Sequence, residues 1–78
     1  MGLFNSKSKQ IKKEMDNLFN DIQINLENNY KDLAIGARKK AEERLEELKQ
    51  SNQLSDRDYT KFKQKLDVFT ERMKGYHH

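Results

Sequence analysis

Apolar residues recur at steps of three and four along two separate stretches of this sequence. The first stretch contains Ile11, Met15, Leu18 and Ile22. The second stretch contains Tyr59, Phe62, Leu66, Phe69, Met73 and Tyr76. Because an α-helix makes one turn in about 3.6 residues, such steps return to the same face of the helix. The spacing therefore predicts two helices that each have one apolar face.

The stretch between them is predicted to form a third helix with a smaller apolar face. It carries alanine at positions 34, 37 and 41, followed by Leu45 and Leu48. The composition favours helices throughout, because the 78 residues include no proline and only three glycines, and 37% of them are charged. A chain of this length allows one domain. We therefore expect a single helical domain over residues 1–78, with a flexible N-terminal arm at 1–6 and a frayed tail at 75–78.

Turn signals lie at two places between the predicted helices. Ser55 is a typical residue before the first turn of a helix, with Asp58 three positions later, while Leu54 and Tyr59 flank it as a hydrophobic staple. Asn52 is the residue best able to take the left-handed conformation that ends the preceding helix. A second break is predicted in NLENNYKD, where Asn28 closes one helix and Asn29 caps the next.

These elements predict an all-α fold, a small up-down-up three-helix bundle. If the second and third helices fold back at the second turn, Leu45 lies level with Phe62 and Ala41 with Leu66, so that small side chains face large ones. The alternative is one long helix from about residue 6 to 50, followed by an antiparallel helix, in a chain that dimerises. Neither glycine nor proline forbids that alternative.

The predicted hairpin resembles a known family in its leucine, capping and aromatic positions. The residues that carry the resemblance are Leu45, Leu48, Leu54, Ser55, Asp58, Tyr59, Phe62, Lys63 and Leu66. Over residues 45–66 they resemble the helical hairpin of the short C-terminal domain family, called SHOCT. The sequence departs from that family at Asn52, where the family usually has glycine. The resemblance implies an accessory or oligomerising module without chemistry of its own.

Catalytic and metal-binding patterns are missing from the sequence. The only histidines are His77 and His78 at the end of the chain, and no phosphate-binding loop, nucleophile elbow or zinc signature occurs. The absence of cysteine also excludes a disulfide framework. We therefore expect a protein that is not an enzyme and that takes no cofactor. Apolar runs of no more than three residues predict a soluble or at most peripheral protein, in the cytoplasm or at the inner membrane face.

A protein-interaction or oligomerisation module is the function that this pattern favours. Ile24 and Ile35 fall outside the main apolar stripes of their helices, yet they lie at about the same level when the first two helices fold back. We interpret them as an apolar patch near the first turn. Its partner is another protein or a second copy of the chain, as a homodimer.

Two groups of basic residues suggest contact with phosphates or with a membrane. Arg57, Lys61, Lys65 and Arg72 recur along one edge of the last helix, which is the arrangement of a sequence-independent nucleic-acid contact. Asp58, Asp67 and Glu71 on the same helix argue against that interpretation. The second group is Lys7, Lys9, Lys12 and Lys13. These lysines follow Gly2 and Ser6, which fit a myristoylation pattern, so the N-terminal arm is a candidate membrane contact.

Overall fold

The protein is an elongated bundle of three helices in up-down-up order. The computed structural model describes residues 2–76, and their side chains over residues 7–75. Helix α1 spans Gly2–Glu27, α2 spans Lys31–Gln50 and α3 spans Asp56–Arg72, and a short 3₁₀ turn follows at Lys74–Tyr76. The prediction of an all-α three-helix bundle is confirmed. The alternative of a continuous helix through residues 6–50 is not found, because the chain reverses after Glu27.

Both chain reversals use the same backbone arrangement, with an asparagine in the left-handed conformation. Asn29 has φ 59° and Asn52 has φ 60°. At the first turn the amides of Asn29 and Tyr30 donate to the carbonyls of Leu26 and Asn25, at 3.1 and 2.9 Å. The second turn repeats this pattern on the carbonyls of residues 49 and 48. These bonds satisfy the last carbonyl groups of α1 and α2, which have no partner inside the helix.

The role predicted for Asn29 is therefore wrong, and the role predicted for Asn52 is confirmed. Asn29 ends α1 and does not begin α2. The residue directly before α2 is Tyr30, and no side chain caps the first turn of that helix. A capping residue normally has extended backbone angles, and the left-handed angles of Asn29 do not allow that role. The start of α3 agrees with the sequence, because the Ser55 hydroxyl accepts from the Asp58 amide at 3.1 Å. Leu54 and Tyr59 are both partly buried against the core.

One apolar core runs the length of the bundle along the faces that the spacing predicted. Its side chains are Ile11, Met15, Phe19, Ile22, Leu26, Ala34, Ala41, Leu45, Leu48, Leu66, Phe69 and Met73. The buried residues of α2 include Ala34 and Ala41, and they lie against large side chains of the other two helices. Helix α1 packs most extensively on α2 and least extensively on α3. Small residues on α2 leave room for the larger side chains of its neighbours in the shared core.

Polar contacts between helices lie at the edges of this core. The Arg44 guanidinium donates to both carboxylate oxygens of Glu14, at 2.7 and 3.2 Å, and so joins α2 to α1. The hydrogen bond to Glu14 raises the pKa of Arg44 above its already high value. On the opposite flank the Tyr59 hydroxyl donates to Glu46 at 2.5 Å and joins α3 to α2. These pairs join α2 to both neighbours at the edges of the core.

The two chain ends bear on several predictions from the sequence. Helix α1 already includes residues 2–6, which we assigned to an arm, so their flexibility stays a prediction. The side chains of the myristoylation pattern fall outside the described residues. His77 and His78 at the predicted frayed tail also lie outside them. Gly75 belongs to the 3₁₀ turn.

Candidate functional site

The side chains over residues 7–75 that are available for function lie on the surface of the bundle. In this range no polar or charged residue is buried. The same range holds no group of three histidine, cysteine, aspartate or glutamate side chains placed to bind a metal ion. The depressions found in this part of the chain are shallow and open to solvent, and they lie between exposed parts of neighbouring helices. A binding site formed by these residues therefore consists of exposed, mostly charged side chains on the surface of the bundle.

The seam between α1 and α3 aligns two parallel helices. Phe19 of α1 lies between two rings of α3, with its ring centre 6.0 Å from those of both Phe62 and Phe69. Outside these rings, the Lys65 ammonium lies 4.0 Å from the Asp16 carboxylate. One further pair, seven residues along on both helices, joins Arg72 to the Gln23 side chain at 2.8 Å. Because both polar pairs are 49 positions apart in the sequence, they define a single register for the seam.

This register brings the two predicted basic groups onto one side of the bundle. The same offset of 49 residues sets Lys12 level with Lys61, one helical turn before the Asp16–Lys65 pair. On α1, Lys9 and Lys13 lie within seven residues of Asp16, at helical spacing from it. We call the resulting surface the basic face; its exposed members are Lys9, Lys12, Lys13, Arg57, Lys61, Lys65 and Arg72.

Few acidic side chains share this surface. Asp16 and Glu27 lie on the α1 side, and Asp58 lies on the α3 side, seven residues before Lys65. Of the 16 basic and 13 acidic residues of the chain, seven and three belong to the basic face, which leaves nine and ten for the remainder. The net positive charge of the protein is therefore concentrated on the α1/α3 side.

Two other acids of α3, Asp67 and Glu71, weaken the positive charge of this surface less than their number suggests. The negative charge of Asp67 contributes to the raised pKa of Tyr59, which places Asp67 on the flank of α3 that faces α2. Glu71 forms an ion pair with Lys74 at 2.7 Å. Of the three acids that argued against a phosphate contact in the sequence, Asp67 therefore lies off the basic face, and the charge of Glu71 is offset by Lys74.

Lys7 is the one predicted basic residue that lies elsewhere. It borders a shallow depression beside the second turn, together with Ile11 and residues 51–53. Lys7 is five residues before Lys12, and five residues carry a helix almost one and a half turns, so the two side chains point to different sides. The predicted row of four lysines is thus divided by the rotation of α1.

The structure does not bring Ile24 and Ile35 together. Ile24 is 45% exposed and lies two residues from both Ile22 and Leu26, which places it opposite the core. Ile35 is partly buried against the core. It shares the flank of α2 that carries Arg38, whose guanidinium reaches Thr70 of α3 at 3.4 Å. The level of the two isoleucines was predicted from their spacing, but their rotation about the helix axes separates them.

Other exposed apolar residues were not singled out in the sequence. Tyr30, Leu33 and Val68 are each more than half exposed. Tyr30 and Leu33 are three residues apart at the beginning of α2, so they lie close together beside the first turn. Their position beside the turn between α1 and α2 is the sequence feature that could have singled them out.

Comparisons with known proteins give no relative for this chain. No family model matches the sequence, and no curated protein or solved structure matches it. The resemblance of residues 45–66 to the SHOCT hairpin therefore stays a prediction. Across the described residues, none of the helices combines the length and the apolar character needed to cross a bilayer.

Proposed function

We propose that the protein is a small non-catalytic helical interaction module that binds an anionic macromolecule through its basic face. The observation that carries this proposal is the concentration of seven exposed basic side chains, against three acidic ones, on the α1/α3 side. A surface of one charge sign attracts partners of the opposite sign and speeds their association. The two contributing segments are separated by about 40 residues in the sequence, and the packing of α1 on α3 unites them.

The distribution of apolar surface supports binding through charge. The apolar faces of all three helices are used in the core. The large apolar side chains that remain exposed in the described part are Ile24, Tyr30, Leu33 and Val68, and they are spread over different helices. Stable interfaces between protein subunits need a larger continuous apolar centre than these four residues provide. Association of the chain with itself stays a prediction.

The proposal includes a setting in the cytoplasm and an accessory role. The SHOCT resemblance of the hairpin supports the accessory role, because that family implies a module without chemistry of its own. A peripheral position at the inner face of a membrane is the alternative setting. Binding to vesicles of anionic lipid distinguishes the two settings.

Retention on immobilised heparin tests the proposed surface. We expect the parent protein to bind at low salt and to elute as salt screens the charges. A variant with Lys12→Gln and Lys61→Gln, two residues of the basic face, should elute at clearly lower salt. The matched control carries Lys39→Gln and Lys40→Gln, which remove the same charge from the exposed surface of α2. Equal elution of the two variants, or no retention of the parent, would show that the basic face is not the binding surface.

A further inference from the structure

We propose that the basic face binds the phosphate backbone of double-helical nucleic acid without reading its sequence. This inference rests on the proposed function and names the class of its partner. Phosphate contacts from lysine and arginine supply affinity and position a protein on a duplex, but they carry no sequence information. The side chains over residues 7–75 supply such contacts on two parallel helices held in fixed register.

The spacing of the basic side chains suits a regular row of phosphates. Arg57, Lys61 and Lys65 follow one another at four residues, or about 6 Å along the axis of α3. Consecutive phosphates on one strand of a duplex rise by about 3.4 Å and are also displaced around the duplex axis, so their separation in space exceeds the rise and is comparable with the spacing of these side chains. Arg72 extends the row to 15 residues, about 22 Å in all. A row of this length, interrupted between Lys65 and Arg72 by Val68, matches an extended polyanion better than a compact acidic patch.

The polar side chains between the basic rows suit the same partner. Asn20 borders a shallow depression on the basic face, together with Asp16, Gln23 and Lys65. The Gln23 amide already donates to Glu27, so Asn20 supplies the amide at this depression that has no hydrogen-bond partner within residues 7–75. Asparagine and glutamine amides are common donors to phosphate oxygens in protein–nucleic acid complexes. The depression has the buried rings of Phe19 and Phe69 beneath it, so its floor is rigid. A rigid floor keeps the surrounding donors at fixed separations.

A membrane surface fits this face less well. A helix that lies in the lipid interface buries an exposed apolar face among the acyl chains. The apolar faces of α1 and α3 are already buried in the core. Val68 is the large apolar side chain that lies within the basic face, at 58% exposure, and Ile24 lies at its edge. These two side chains offer little apolar area for insertion.

Binding to a labelled duplex DNA of about 20 base pairs, followed by fluorescence anisotropy, tests this inference. We expect duplexes of unrelated sequence to bind alike at low salt, and the affinity to fall with a slope of about −4 in log K against log salt if four to five phosphates are neutralised. In the variant with Lys12→Gln and Lys61→Gln, the slope should become shallower by about two. Neither lysine belongs to an ion pair within residues 7–75, and circular dichroism checks that the variant is folded.

Three results would overturn the inference. One is retention on heparin without duplex binding, which would leave the proposed function standing. Another is binding to vesicles of anionic lipid at salt concentrations where the duplex is not bound, which would identify a membrane as the partner. The third is an equal loss of DNA binding in the Lys39→Gln and Lys40→Gln control, which would mean that net charge alone is responsible. A parent protein that binds neither heparin nor the duplex would contradict the proposed function as well.

Discussion

At the scale of single residues, the protonation of Tyr59 makes the contact between α2 and α3 depend on the solution pH. Its hydroxyl donates to the Glu46 carboxylate, and the Lys49 ammonium lies 4.3 Å from the centre of its ring. The hydrogen bond to Glu46 raises the pKa of Tyr59, and partial burial and the negative charges of Glu46, Asp67 and Glu42 raise it further. Loss of the Tyr59 proton would replace the hydrogen bond with repulsion between two anions.

This raised pKa predicts a loss of stability at alkaline pH. A group whose pKa is higher in the folded protein contributes stability that is complete below its unfolded value, about 10 for tyrosine, and that is lost as the pH rises through the folded value. We therefore expect the free energy of unfolding to fall above about pH 10. Tyr59→Phe should show a shallower fall in urea titrations at increasing pH. Tyr30→Phe removes an exposed hydroxyl and should follow the parent, whereas identical curves for all three proteins would contradict the role of Tyr59.

At the scale of the helices, the two left-handed asparagines determine where the chain reverses. A left-handed conformation costs an L-residue about 1–2 kcal/mol, and asparagine is among the few residues that adopt it routinely. Asn29 and Asn52 occupy equivalent positions in the two turns and have nearly equal φ angles. Residues 28–31 contain neither glycine nor proline, so the left-handed conformation of Asn29 is the local feature that interrupts the helix between α1 and α2.

Replacement of Asn29 tests this interpretation of the first turn. We expect Asn29→Ala to lower the free energy of unfolding by about 1 kcal/mol, because alanine lacks the side chain that makes the left-handed conformation acceptable. Asn29→Gly should retain most of the stability, since glycine adopts this conformation without a steric penalty. Urea unfolding followed by circular dichroism gives both values. An alanine variant that gains helix and sediments as a dimer would instead show that the continuous helix is within reach.

The features of the fold that were predicted correctly depend on contacts between residues close together in the sequence. The features that were not predicted depend on how the helices pack against one another. The start of α3 was predicted correctly because its cap joins Ser55 to an amide three residues away. The role of Asn29 was predicted wrongly, because asparagine is favoured both at the end of one helix and at the start of the next. The direction in which α2 leaves the turn decides which of the two roles Asn29 takes. The rotation of α1 and α2 about their axes, which separates Ile24 from Ile35, also depends on packing between helices.

At the scale of the whole molecule, the function we propose depends on the register of α1 against α3. These helices are not consecutive in the chain, so their register follows from the lengths of both turns and from the packing of Phe19 between Phe62 and Phe69. Each basic group was visible in the sequence. Their union on one surface was not, because local spacing does not fix a register between distant helices. The exclusion of Lys7, in contrast, follows from its spacing from Lys12 on a single helix.

The same register brings like charges together, and this predicts opposite effects of two equivalent charge reversals. Lys61 lies level with Lys12 and one turn from Arg57 and Lys65, with Asp58 as the one acidic neighbour on its helix face. Lys61→Glu should therefore raise the melting temperature at low salt, because it converts these repulsions into attractions. It should also weaken retention on heparin. Surfaces that bind a charged partner often carry such a cost in stability.

Lys39→Glu is the matched control, because it makes the same change in charge at an exposed position of α2. Lys39 precedes Glu42 and Glu43 by three and four residues, so its reversal creates repulsion and should lower the melting temperature. Added salt should diminish the difference between the two variants by screening both effects. Thermal unfolding at low and high salt measures all of these changes. A Lys61→Glu variant that melts below the parent, as the control should, would mean that α1 and α3 do not align their lysines in one positive field.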